Sequence, residues 1–331
     1  MRSLYFLVPG TTGKYYCGGL FAELKTMKLA QQICKAEVVT YRQREEGVLY
    51  LDDVLDRRKQ TEIIFVVSWG FDVPKLLARL RGQQVIYHAH SANYGFRVPA
   101  NVPIITVSRH TMGYWGQLAP NSLLFYLPNE ISPEFVNQHR QRDIDVLVQA
   151  RKSSRYLLTQ LIPALQKQCN VLVLDGFVDN LADVFNRSRI YLYDSAEYWA
   201  QQRVTEGFGL PPLEAMACGC HVFSSLNHAL ADYLDPAFNC HKIAGYALEY
   251  DIYRILEVLK RDRELELSPE FLAPYRSQAI EYRLERILTE INTFFDLQST
   301  YQHPIYDLNL LRLHQFKMQS FWQKVKKKIS K

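Results

Sequence analysis

Short unbroken apolar runs alternate with stretches of helical spacing along the first 135 residues. Leu4–Pro9, Ala36–Tyr41, Glu62–Trp69, Gln84–His90, Ile104–Ser108 and Ser122–Leu127 read as strands. Leu20–Cys34, Val73–Leu80 and Arg109–Gln117 read as helices. Continuous apolar strands interleaved with helices predict a parallel sheet covered on both faces. Pro128, Asn129 and Pro133 then cluster and mark a boundary. Beyond it the pattern restarts, with strands at Asp145–Ala150, Asn170–Phe177, Ile190–Asp194 and Cys220–Ser224. The helices between them fall at Tyr156–Lys167, Leu181–Arg187 and Leu213–Cys218, and from Tyr246 the chain reads as helical to its end. The expected architecture is α/β: two doubly wound, Rossmann-like domains facing a cleft, with ligands at the carboxyl ends of the strands. The boundaries are set at 1–135, 136–308 and a basic helical tail at 309–331.

Composition agrees with this plan. A chain of 331 residues is long for one ordinary domain and comfortable for two. Apolar residues at 48% and charged residues at 22% fit a globular protein rather than a disordered one. No apolar run approaches the roughly 18 residues that a membrane-spanning helix needs. The charged and apolar start, MRSLYFLVPG, is too short for a signal peptide and reads as a first strand. Six scattered cysteines without a C-x-x-C pair point to free thiols in a reducing compartment, the cytoplasm. The net charge is +5, yet seven Lys and Arg and no acidic residue lie between 309 and 331. Taking those seven from +5 leaves −2, so the body is near neutral and the basic character belongs to the tail. Nucleic acid is not the expected partner, because the body offers no continuing basic patch.

The segment TEGFGLPPLEAMACGCHVFSS carries the clearest chemistry. Gly207 and Gly209 permit positive φ and close approach to a ligand. Pro211 and Pro212 suit the first turn of a helix, whose free N–H groups and partial positive charge favour a phosphate. Glu206 precedes that anion site and Glu214 lies about a turn inside the helix. Carboxylates so placed accept well from hydroxyls, which suits a sugar on one side and a ribose on the other.

This segment resembles the E-x7-E motif of retaining nucleotide-sugar glycosyltransferases of family 4, which have the GT-B fold. Tyr16-Cys17-Gly18-Gly19 resembles that family's glycine-rich loop after the first strand, implying donor binding at Gly18 and Gly19. Val85–His90 resembles the strand ending in a histidine near the transferred sugar, with His90 the better match and His88 its competitor on the opposite face. Ala150-Arg151-Lys152 with Arg155 resembles the pair that holds the diphosphate, Arg151 acting with either Lys152 or Arg155. The resemblance further implies that Glu206 binds donor-sugar hydroxyls and Glu214 the ribose, while the backbone of Gly207, Phe208, Gly209 and Leu210 holds sugar or phosphate. It covers about residues 1–260. Glu130 stands where the family has a glycine, so a different hinge turn is expected.

The implied reaction is retaining transfer from a nucleotide sugar, a UDP-sugar, with no further cofactor and no metal. Asp143-Ile144-Asp145 is formally a D-x-D pair but sits at a strand entry and reads as structural. Pro9–Lys14 hints at a P-loop, but Tyr15 follows Lys14 where Ser or Thr is needed. A sugar-nucleotide epimerase and a non-catalytic partner subunit are the rivals from other classes. Leu311, Met318, Phe321, Trp322, Val325 and Ile329 share one helical face, with Lys324, Lys327, Lys328 and Lys331 towards the others. That pattern predicts peripheral binding to an anionic cytoplasmic membrane surface and a lipid acceptor, with a soluble glycan as the alternative. The short body, the Ser154–Leu158 entry and the basic tail resemble bacterial enzymes of the digalactosyldiacylglycerol synthase type.

Overall fold

The computed structural model describes residues 1–56, 62–176, 178–245, 247–261, 263–301, 305 and 310–329. Phe177, Tyr246, the 308/309 boundary and Lys331 from the expectations above lie outside the described residues. Among the described residues, strands β1 (Ser3–Val8), β2 (Ala36–Thr40), β3 (Leu49–Tyr50), β4 (Ile63–Val67), β5 (Gln84–Ala89), β6 (Ile104–Thr106) and β7 (Leu124–Tyr126) form one sheet. Its order is β3-β2-β1-β4-β5-β6-β7, and every pairing is parallel. The second sheet holds β8 (Ile144–Gln149), β9 (Val171–Leu174), β10 (Ser188–Tyr193), β11 (His221–Ser224) and β12 (His241–Lys242). Its order is β12-β11-β10-β8-β9, again parallel throughout.

The central strands are apolar on both faces because both faces are covered. All five residues of β4, IIFVV, are buried. Leu7, Val67, Tyr87 and Trp115 pack on one side of the first sheet, and Leu4, Phe6, Ile64 and Ile86 on the other. The helix 109–118 opens with a reciprocal cap: the Ser108 hydroxyl accepts from the Thr111 N–H at 3.0 Å, while the Ser108 N–H donates to the Thr111 hydroxyl.

Strand order reverses between β1 and β4 in the first sheet and between β8 and β10 in the second, and ligands of open α/β sheets bind at such points. The loops after β8 and β10 carry Arg151, Lys152 and Ser195.

The helix Ser277–Tyr301, counted with the second domain in the sequence reading, packs on the first sheet. Ile280, Leu284, Ile287, Leu288, Ile291 and Phe295 enter the core beside Leu4, Phe6 and Ile86. At about 1.5–3 kcal/mol for each fully buried side chain, that face fastens the helix firmly. The chain therefore crosses between the two units twice. The crossings are tied to each other: the Arg276 guanidinium donates to the carbonyls of Ser132 at 3.1 Å and Phe135 at 2.8 Å, and the Ser277 hydroxyl bonds Glu130. Glu130, which stands where the resembled family has a glycine, thus serves the hinge as an anchor.

Candidate active site in the interdomain cleft

The helix Leu210–Ala217 begins at Gly209, whose φ of 81° and close contact with Leu230 exclude a side chain. Pro211 and Pro212 occupy its first turn, as their missing N–H groups allow. The N–H groups of Phe208, Gly209 and Leu210 meet no protein acceptor among the described residues, so they remain open to an anion. The Phe208 ring itself is in the core against Tyr233 and Tyr275, leaving only its backbone for a ligand.

Glu206 is buried at the carboxyl end of the second sheet. Its Oε2 accepts from Tyr193 at 2.5 Å, Trp199 Nε1 at 2.6 Å and Ser195 at 3.1 Å. Its Oε1 lies 3.8 Å from Lys152 Nζ. Its N–H donates to His228 Nδ1 at 3.1 Å, so that imidazole carries its proton on the other nitrogen when neutral. One oxygen is thus saturated by protein donors, and the second is left to the lysine and the cleft.

Lys152 adopts a left-handed backbone with φ of 71°, and its ammonium sits 4.4 Å above the Trp199 ring. Arg155 is exposed, with its backbone N–H bonded to Glu197 at 2.8 Å. Of the two lysine candidates, Lys152 is the one beside Glu206. Arg151 is exposed next to it. Tyr193 and Trp199 were not foreseen. The helix Ala196–Gln202 that carries Trp199 is short and follows β10 directly, and its Tyr-Trp pair after a strand end was the available signal.

Glu214 is buried one turn into its helix, with no hydrogen-bond partner for its carboxyl among the described residues. Burial pushes its pKa up to about 7, opposed by Lys25 and assisted by Glu134.

The first domain brings Gly18 and Gly19 to the exposed start of the helix 18–30, where a side chain would meet open space or only Cys17. His90 follows β5. His88 and His90 were expected on opposite faces, but alternate residues of a strand share a face, and the two rings are 4.3 Å apart. Both bond the same oxygen of Glu23, His88 Nδ1 at 2.5 Å and His90 Nε2 at 2.7 Å. Glu23 was missed, although a carboxylate within the buried stripe Leu20, Glu23, Met27, Ala30 was a legible anomaly.

Glu23, His88 and His90 form the one group among the described residues with donor atoms close enough for a metal. Donors around a tetrahedral zinc stand about 3.3 Å apart. The 2.5 and 2.7 Å separations here fit hydrogen bonds instead. Asp143 pairs with Arg187 at 2.5 Å on the exterior, and the half-buried Asp145 lies 3.8 Å from Arg189.

The two halves of the site touch. A Cβ on Gly207 would come within 1.5 Å of the His90 carbonyl oxygen. Beside it the Ser91 hydroxyl donates to the Thr205 carbonyl at 2.6 Å. The Ala92 N–H donates to the Thr205 hydroxyl at 3.1 Å, and the Asn93 amide to the Arg203 carbonyl at 2.9 Å. The loop after β5 is therefore zipped to the loop that carries Glu206.

Residues 109–247 match the family model described as glycosyl transferases group 1, a segment that contains Arg151, Lys152, Glu206 and Glu214. The serotype-specific mannosyltransferase WbdA of Escherichia coli is 33% identical over 91 residues, 26% of this chain and 9% of that protein. The chain thus spans a small part of the curated relatives it matches. Sucrose-phosphate synthase from Thermosynechococcus elongatus superposes with a TM-score of 0.64 at 13% identity, over 88% of this chain and 100% of that one. Anabaena Alr3699/HepE in complex with UDP and glucose superposes with a TM-score of 0.61 at 13% identity, over the same shares. At such identities the likeness is one of fold. This chain has the GT-B fold of two facing parallel-sheet domains, and its segment 109–247 is similar to the glycosyl transferases group 1 family.

Proposed function

We propose that the protein is a glycosyltransferase that moves a sugar from a nucleotide sugar, with UDP as the carrier, to an acceptor hydroxyl with retention of anomeric configuration. The observation that carries this reading is the Glu206 assembly. A buried carboxylate has one oxygen fully bonded and the other beside Lys152, and the next residue, Gly207, packs on the His90 carbonyl of the first domain. Glu206 Oε1 accepts from sugar hydroxyls, the open N–H groups of Phe208, Gly209 and Leu210 hold phosphate, and Glu214 accepts from the ribose. Arg151 and Lys152 stabilise charge on the departing diphosphate, which removes the need for a metal at that step. No protein nucleophile is required. The acceptor attacks from the leaving-group face, so catalysis consists of positioning and electrostatics. The zipper between residues 91–93 and 203–205 excludes water from a donor that would otherwise hydrolyse.

The acceptor in this reading is a membrane lipid, and galactose onto a galactolipid is its most specific form. The helix Leu310–Ile329 supports it, because Leu311, Phe321 and Trp322 are exposed rather than packed on the body. No helix among the described residues is long and apolar enough to cross a membrane, and the enzyme in this reading sits peripherally on the cytoplasmic face. The test is purified full-length protein with a panel of UDP-sugars, with and without membrane lipid extract. Acceptor-dependent UDP release, a product of unchanged anomeric configuration and activity that survives EDTA are expected. Interconversion of the donor without an acceptor would show an epimerase instead. Loss with EDTA that manganese restores would overturn the role given to Arg151 and Lys152.

A further inference from the structure

Glu23 is 1% exposed and projects from the middle of the buried face of the helix 18–30. A carboxylate there is costly unless it is matched by donors. Its donors are two imidazoles, and both reach a single oxygen, Oε2. Burial alone would push this carboxyl up. The two imidazoles, His88 foremost, outweigh that and hold it at about 2, so it is ionised in neutral solution. An ionised carboxylate only accepts, and therefore both contacts require protons on His88 Nδ1 and His90 Nε2.

The two histidines differ in what remains. His88 Nε2 is buried without a partner, in a small apolar space lined by Leu4, Phe6 and Ile86. That ring acts as an anchor. The His90 side chain keeps 13% exposure, against 2% for His88, and His90 Nδ1 has no partner among the described residues. Its backbone is fixed independently, because the His90 carbonyl packs on Gly207 and Ser91 bonds Thr205.

We propose that Glu23 is a positioning residue for His90: it clamps the ring and keeps its proton on Nε2, so that Nδ1 faces the cleft as an acceptor for a donor-sugar or acceptor hydroxyl. This rests on the sugar-transfer reading above and adds to it the tautomer and the residue that sets it. Burial and the neighbouring His88 push the His90 pKa down, which favours the neutral ring, and Glu23 decides which of its nitrogens meets the hydroxyl, so that His90 acts by positioning.

The experiment is histidine-labelled nitrogen NMR on the full-length protein, with His90→Gln used to assign the His90 signals. The expected spectrum places the His90 proton on Nε2, unchanged by EDTA or by added zinc. In Glu23→Gln the His90 signals shift to a mixture of tautomers. Sugar transfer should fall roughly 10- to 100-fold in kcat with the donor KM within about threefold, since a slightly misplaced group costs rate more than binding. Glu23→Asp, which keeps the charge, should recover part of both. A wild-type His90 protonated on Nδ1 overturns the proposal, as does an unaltered tautomer in a folded Glu23→Gln protein. Signals that move with zinc and return with EDTA would also overturn it, showing that the three groups hold a cation. If the wild type transfers no sugar at all, the proposed function fails, while the wild-type tautomer still decides the role of Glu23.

Discussion

At the residue scale, the two glutamates of the E-x7-E segment turn out to live in opposite electrostatic surroundings. Glu206 is surrounded by donors, Glu214 by none. Glu206→Ala would be a clean test of chemistry if the carboxylate made no contacts within the protein. In the structure it strands the buried donors of Tyr193 and Ser195, each worth about 1–3 kcal/mol when unsatisfied, and the half-buried Trp199 indole. Thermal melting should therefore show a marked loss for Glu206→Ala. Glu206→Gln keeps the shape and an acceptor oxygen, and should lower transfer about 10- to 1,000-fold with a smaller change in melting temperature. Near-normal transfer by a folded Glu206→Gln protein would remove the main argument for the site. Glu214 gives a prediction in pH. Its folded pKa of about 7 lies above the ordinary 4.5, so the folded state keeps a proton that the unfolded chain gives up. Stability is then lost as pH rises from 4.5 through 7, by an order of about 3 kcal/mol. Denaturant titrations should show that slope, and Glu214→Gln should flatten it. Ribose hydroxyls need the ionised acceptor, so UDP binding should strengthen by about tenfold from pH 6 to pH 8. Calorimetry on the wild type, with Glu214→Gln subtracted for the phosphate's own titration, reads that difference.

At the scale of elements, most of the architecture was legible, and the failures have physical causes. The strands β1, β4, β5 and β8 announce themselves as apolar runs because helices cover both sides of them. β3 and β12 have two residues each, too few to show any periodicity, and both went unread. The helix 277–301 was read as a helix, but local spacing cannot say which sheet its apolar stripe will meet. Its return to the first sheet is long-range information. The same holds at the site. Glu206, Glu214, Arg151 and Lys152 could be named from one short motif and one strand end, whereas Trp199 and Glu23 act through partners distant in sequence or on another element. Contact between the loops is the part that motif reading could least supply, and it yields a sharp test. Gly207→Ala places a methyl group on the His90 carbonyl, and backbone cannot retreat as a flexible side chain can. The variant should fold, since the crowding is between domains rather than within a core. It should lose the three hydrogen bonds of the zipper and about 100-fold or more in turnover, as expected for a displacement of an ångström or more between reacting groups. Small-angle scattering should report a more open particle. Turnover close to wild type would mean that this contact is not the working arrangement.

At the scale of the whole molecule, the question is where the acceptor comes from, and the helix 310–329 bears on it. Leu310 and Leu311 are 78% and 77% exposed, and Phe321 and Trp322 more than half exposed, so this helix does not bury its apolar side chains against the body. A helix with so much apolar surface in water needs something to cover it. Its charge favours one candidate, because Arg312, Lys317, Lys324, Lys326, Lys327 and Lys328 come with no acidic residue, while the rest of the chain is near neutral. From Met318 onward the apolar residues Met318, Trp322 and Val325 keep to one side, whereas Leu313 and Phe316 fall on the other side of the first two turns. The apolar collar of those first turns suits deeper insertion, and the lysine-rich end suits lipid headgroups. A basic residue close to an anionic surface contributes about 1 kcal/mol, so even half of these would hold the protein in place once Trp322 and Phe321 enter the interface. Full-length protein should therefore float with vesicles rich in anionic lipid, release at high salt, and show a blue shift in the emission of its tryptophans. A 1–308 truncation should stay in the soluble fraction while keeping UDP binding, because Leu310, Leu311, Phe321 and Trp322 are exposed rather than packed against the site. Transfer to a short, water-soluble analogue of the acceptor should survive the truncation, and transfer to lipid in vesicles should fall at least tenfold through lost effective concentration. Equal flotation of both proteins, or binding indifferent to salt and lipid charge, would remove the membrane from the proposal and make a soluble glycan the acceptor to seek.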